Sequence, residues 1–167
     1  MSITTFTAIT ADGNTYEVSR KAARLAYYFQ GMLEGSEGFP IPEAIPVEYV
    51  NWDDFEKVLE FLNHYENSDP APMDRMVWRP FVESVPEWDY QYISSFSGPE
   101  LHKFNKAVEY LMVEPLLDLI AFSMACTIKD MSLEESVKYY GLPMPTEEEI
   151  KGMEQLYWEK YALPADL

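Results

Sequence analysis

Residues 107–142 read AVEYLMVEPLLDLIAFSMACTIKDMSLEESVKYYGL, and residues 145–161 read PTEEEIKGMEQLYWEKY. Three apolar helical patterns follow one another here, each with its own start signal. Pro115 stands where a first helical turn needs no N–H. Ser132 and Glu135 have the spacing of a capping box, and so do Thr146 and Glu149. Gly141 is placed as a helix stop. Glu147, Glu148 and Glu149 crowd the first turn of the last pattern, where carboxylates favour the positive end of the helix dipole. The apolar positions outnumber what the chain's own core is expected to absorb, so this third of the molecule is expected to meet a partner.

Working back toward the N-terminus, residues 98–111 carry Leu101, Phe104, Val108 and Leu111 at helical spacing after Gly98-Pro99. Trp88-Asp89-Tyr90-Gln91-Tyr92 reads as a short helical turn. Residues 67–86 hold four prolines and no period, and are expected to be an irregular insertion without scaffold duty. Asn51 is expected to cap a helix with Trp52, Phe55, Val58, Leu59 and Leu62 on its apolar face. Ile45-Pro46-Val47 is a short apolar run whose proline confines it to a sheet edge or a strand end. Ser19 is expected to cap a helix running to about Leu33, with a loop from Gly35 to Pro42. The opening segments, residues 4–10 and 15–19, flank Ala11-Asp12-Gly13-Asn14 and predict a β-hairpin.

The chain has 167 residues, one domain's worth, and 47% of them are hydrophobic. Its 29 acidic and 12 basic residues leave a net charge of −17. Phosphate binding needs basic patches, so nucleic acid is not an expected partner, and neither is an anionic membrane surface. A partner with basic surface suits this charge. Cys126 is the only cysteine, which excludes an internal disulfide and fits a cytoplasmic and nuclear location. It lies in an apolar helix and is expected to be a small core residue. The longest apolar stretch, residues 116–128, is too short to span a bilayer. No glycine-rich phosphate loop, Cys/His metal spacing or nucleophile elbow occurs. His64 and His102 read as packing or surface residues. No cofactor, metal site or catalytic residue is expected, and the chain does not read as an enzyme.

The order of elements resembles the S-phase kinase-associated protein family, the small adaptor subunit of Skp–cullin–F-box ubiquitin ligases. ADGNTYEV (11–18) is similar to that family's opening hairpin, and GMLEG (31–35) to the end of its first helix. VNWDDFEKVLEFLNHYENSDP (50–70) is similar to its second helix, and Trp88-Asp89 to a Trp-Asp pair after its acidic loop. AVEYL (107–111) with LLDL (116–119), Ile128-Lys129 with the Ser132–Glu135 cap, and the final TEEE plus aromatic cluster complete the series. Each motif alone is weak; their order and spacing carry the resemblance.

The resemblance implies an α/β fold: a BTB/POZ-type domain, a small sheet flanked by helices, over residues 1–130, with two added C-terminal helices over 131–167. It implies an F-box protein as partner through Leu116, Met124, Ile128, Tyr140 and Leu142, and through the family's C-terminal tryptophan, which falls at Tyr157 or Trp158 depending on a one-residue shift. It also implies a cullin at Glu109 and Tyr110. The chain departs from the family pattern at Glu109 (for Asn), Met112, Asp130 and Tyr65, and its Pro145-Thr146 order is reversed. These departures keep a second function open: a structural subunit of another assembly that grips an F-box-like partner without a cullin.

Overall fold

In a computed structural model, residues 4–34, 44–72 and 79–161 are described, with side chains to 156 in the last helix. Strands β1 (Thr5–Thr10) and β2 (Thr15–Ser19) form the expected antiparallel hairpin, with Ala8 opposite Tyr16. Every second residue of β1 is buried, namely Phe6, Ala8 and Thr10, so one face is committed to the core. Gly13 has φ +82°, a left-handed conformation that glycine adopts without a Cβ penalty. Strand β3 (Ala44–Val47) runs parallel to β1, giving the order β2-β1-β3. Pro46 therefore sits in an edge strand, as its missing donor requires.

Helix α2 (Trp52–His64) begins where Asn51 accepts a hydrogen bond from the Asp54 amide at 3.1 Å. The hairpin turn adds a second cap: Asp12 Oδ2 accepts from the Trp52 amide at 3.1 Å. The Thr10 hydroxyl, above all, and the Trp52 amide hold the Asp12 carboxyl below its usual range. Local sequence thus docks the sheet onto the helix. At the other end of α2, the Arg24 guanidinium donates to the carbonyls of Tyr65 (2.9 Å) and Ser68 (2.6 Å) and pairs with Asp69 at 2.9 Å. These contacts satisfy acceptors that a helix end leaves open.

Two segments differ from the sequence expectation. Instead of one helix to Leu33, the chain makes a 3-10 turn at Ala22–Leu25 and restarts as α1 (Tyr27–Glu34) after an extended Ala26. Ala22, Ala23 and Ala26 are all fully buried, so close packing decides the backbone there rather than propensity. The insertion also has an ordered end. Phe81–Ser84 form α3, with Phe81 against Phe122 and Tyr90 at ring separations of 5.8 and 6.0 Å. Residues 67–72 are turn and coil, as expected. Trp88 lies in α4 (Glu87–Ser94) rather than in a single turn.

Helix α5 (Gly98–Leu111) opens on a Ser97/Glu100 capping box and buries Leu101, Phe104, Ala107, Val108 and Leu111. It ends on Met112 at φ 52°, the one non-glycine residue among those described in the left-handed region. The Met112 and Val113 amides then donate back to Glu109 and Val108. Helix α6 (Glu114–Ile128), with Pro115 in its first turn, buries Leu116, Leu119 and Ile120 beside Phe29, Phe55, Phe61 and Phe104. Helices α7 (Leu133–Tyr139) and α8 (Glu147–Tyr161) follow. The whole is an α/β fold of the BTB type, with the sheet and α1–α6 around one core and two further helices at the C-terminal end.

Candidate partner-binding surface

Helices α7 and α8 are built by the local signals of their own sequence. Ser132 Oγ accepts from the Glu135 amide at 3.2 Å while Glu135 accepts from the Ser132 amide at 2.8 Å. Thr146 and Glu149 repeat the arrangement at 3.3 and 2.7 Å. These bonds hold both glutamates below their usual carboxylate range, led by the hydrogen bond from the cap residue's backbone N–H. Helix α7 ends in a glycine cap: Gly141 has φ +65°, its amide donates to Lys138, and the Leu142 amide donates to Val137 at 2.7 Å.

One contact seats α7 on the body. A Cβ placed on Gly98, at the start of α5, would lie 2.4 Å from the Tyr139 carbonyl oxygen. Only glycine lets the end of α7 come this close to α5. Beside it, Tyr140 is 7% exposed and Pro99 packs at Gly141. Burial pushes the Tyr140 phenol up from its usual value.

Beyond this joint the surface changes character. Leu142, Pro143, Met144 and Pro145 run from α7 to α8 as one wall of an open groove. Glu149, Gly152, Met153 and Leu156 form the other wall, at the spacing of a single helix face. The groove encloses about 560 Å³. Met153 is 53% exposed and Leu156 66%, so the apolar stripe of α8 has no cover within the described chain. Leu133, Tyr139 and Ile128 add further exposed apolar surface on α7 and the end of α6.

The residues implied as F-box contacts divide accordingly. Ile128 and Leu142 are each 38% exposed and available. Met124 is half-buried against the core. Leu116 is 0% exposed and must be corrected to a core residue: it faces inward from the first turns of α6 and offers a partner nothing. Tyr140 likewise serves mainly to close the joint. The side chains of Tyr157 and Trp158 lie outside those described. Met144, Met153 and Leu156 line the groove without belonging to the set the resemblance implies. The signal that finds them is the spacing 149, 152, 153, 156, facing a connector with two prolines and no regular structure. Cys126 is half-buried rather than in the core.

The second surface surrounds Glu109 and Tyr110. Val108 and Leu111 turn inward and are fully buried, which leaves Glu109 exposed and Tyr110 half-buried. Glu109 accepts from Asn105 Nδ2 at 2.8 Å. The Tyr110 hydroxyl donates to Tyr28 at 3.1 Å, and Tyr28 in turn donates to the Pro46 carbonyl of the edge strand. Burial, above all, raises the Tyr28 phenol above its usual value. Tyr49 packs edge-on to Tyr110 at 5.3 Å and is itself exposed, as are Tyr27 and Met112. An aromatic patch thus stands beside the carboxylate. His64 stacks on Trp88 at 3.7 Å, a packing role. No group of three metal-ligating side chains, and no helix long and apolar enough to cross a membrane, occurs among the described residues.

A small α/β core carries, on its terminal helices, an apolar groove that is uncovered among the described residues, the kind of surface that marks interaction sites. No family model matches the chain. Known proteins do. It is 31% identical over 141 residues to the E3 ubiquitin ligase complex SCF subunit sconC of Aspergillus clavatus, covering 83% of this chain and 86% of that one. It is 32% identical to the sconC subunit of Emericella nidulans over 78% of this chain and 80% of that one. It is 24% identical to the S-phase kinase-associated protein 1 homolog of Tetrahymena thermophila over 92% and 93%. The chain belongs to the S-phase kinase-associated protein family, as a divergent member.

Proposed function

We propose that the chain is an adaptor of a Skp–cullin–F-box ubiquitin ligase, working in the cytoplasm and nucleus. Its C-terminal helices hold an F-box protein, and the face bearing Glu109 and Tyr110 holds a cullin. The observation that carries the reading is the uncovered apolar face of α8 and its connector, on a chain whose relatives are named as SCF subunits. An adaptor of this kind performs no chemistry. It raises the effective concentration of a tethered substrate near the transfer machinery.

A second reading is favoured by one specific feature, the acidic side chain at 109 where the family has Asn, beside the reworked Met112. A carboxylate at an interface must find a cation or lose its hydration. A chain that grips an F-box-like partner inside another assembly, without a cullin, meets no such demand. The test is reconstitution of the full chain with an F-box domain and a cullin N-terminal domain, followed by size-exclusion chromatography. The adaptor reading expects one ternary peak. An F-box complex that leaves the cullin behind selects the structural subunit, and the absence of any F-box complex overturns both. Glu109→Asn then tells what faces this position. Tighter cullin binding means a surface adapted to a neutral amide, and weaker binding means a cation opposite Glu109.

A further inference from the structure

We infer that Gly152 is the point of closest approach in the α8 groove, left without a side chain so that an amphipathic helix of the F-box partner can seat against the α8 backbone. The inference rests on the F-box reading above and names how that site selects its occupant.

Glycine in a helix interior is destabilising, because it orders a very free backbone and contributes no contacts. Gly152 is the sixth residue of α8, well inside Glu147–Tyr161. Three of the described glycines have internal reasons, while Gly31 in α1 shares with Gly152 an open position but lines no apolar groove of this kind. Gly13 and Gly141 occupy positive φ, and Gly98 makes room for the Tyr139 carbonyl. Gly152 has neither reason. Its φ lies outside the left-handed region, and a Cβ there would meet nothing within 4 Å. Nothing described in the chain itself gains from the missing side chain.

Its position supplies the reason. Gly152 lies between Glu149 and Leu156 on the groove-facing stripe, beside Met153 and across from the Leu142–Pro145 connector. A bare position flanked by two large apolar side chains is a notch. The distance between two packed helices is set by the side chains at their contact, so a notch lets a second helix come closer. The occupant's chemistry follows from the rim. Glu147, Glu148 and Glu149 open α8, Glu154 follows, and the chain carries −17 overall. A helix with an apolar face and Lys or Arg along its edges complements this groove.

The test uses the full chain and a recombinant F-box domain, with affinity read by isothermal titration and order of 147–156 read by hydrogen exchange. Gly152→Ala should slow exchange across α8 in the free chain yet weaken F-box binding about five- to tenfold, and Gly152→Leu should weaken it about fiftyfold or more. Gly31→Ala, at the other open glycine in a helix, should leave affinity unchanged. A merely structural glycine cannot give the first result, because better helix order would then hold or improve binding. If the wild type binds and Gly152→Ala binds as well or better, the inference is overturned and the F-box reading stands. If Gly152→Ala loses binding together with protection, a folding defect explains the loss and the inference is overturned. If the wild type binds no F-box domain, both fall.

Discussion

Met112 ends α5 in a conformation that puts its Cβ too close to the backbone, at a cost of about 1–2 kcal/mol. Its side chain is largely exposed and recovers little by packing. Met112→Gly should therefore stabilise the chain by up to about 1 kcal/mol, after the added entropy of the unfolded state. An upward shift of the urea midpoint at unchanged slope checks this. Asp89 is a second residue out of balance. It is buried in the first turn of α4, accepts from the Tyr65 hydroxyl at 2.7 Å, and has its carboxyl raised, burial outweighing the Tyr65 hydrogen bond. A raised folded-state value means the native chain binds the proton more tightly than the unfolded one. The group's contribution is then fully present below the unfolded value of about 3.9 and is lost as pH rises through the folded one. Asp89→Asn keeps an acceptor for Tyr65 and removes the titration. Its stability relative to wild type should thus rise between pH 4 and pH 7. A difference that stays flat in urea melts at both pH values would show that the carboxyl is not perturbed.

At the scale of elements, the joint between α5 and α7 decides where the C-terminal helices sit. The described part of α8 is exposed almost throughout, and α7 reaches the body chiefly at Gly98, Pro99 and Tyr140. Gly98→Ala places a methyl against a backbone carbonyl that has no rotamer to escape into. Such overpacking costs typically about 1–3 kcal/mol. Hydrogen exchange should quicken across 133–142 while α2 and the β-hairpin stay protected. Equal loss everywhere would show that the joint belongs to the core's cooperative unit. The start of α3 is a smaller case of the same kind. Four prolines hide the fact that Phe81 finds Phe122 and Tyr90, since a single anchoring ring leaves no period in the sequence.

At the scale of the molecule, charge and shape act together. A surface at −17 repels like-charged chains and draws basic ones over a distance of about a Debye length, roughly 8 Å at physiological salt. Association with an F-box domain of basic surface should slow markedly between 50 and 300 mM salt, while dissociation, governed by the apolar groove, changes little. Stopped-flow measurements separate the two, and a salt-independent on-rate would remove steering from the account.

The hairpin, the capped starts of α2, α7 and α8, the Gly98-Pro99 start of α5 and the confinement of β3 to an edge or a strand end were legible in sequence, because each rests on residues a few positions apart. The family was legible too, in the order of short motifs. What only the tertiary structure decided is which apolar residues are spent. Leu116 and Leu156 are the same residue type on the first and the last of the three C-terminal helical patterns, yet one is fully buried in the core cluster and the other faces an open groove. Periodicity shows that a face exists; what covers it depends on contacts between segments distant in sequence. Leu116 comes from a helix packed against α3, α4 and α5, and Leu156 from one that follows a glycine-capped turn and a connector with two prolines and is exposed over almost all of its described length.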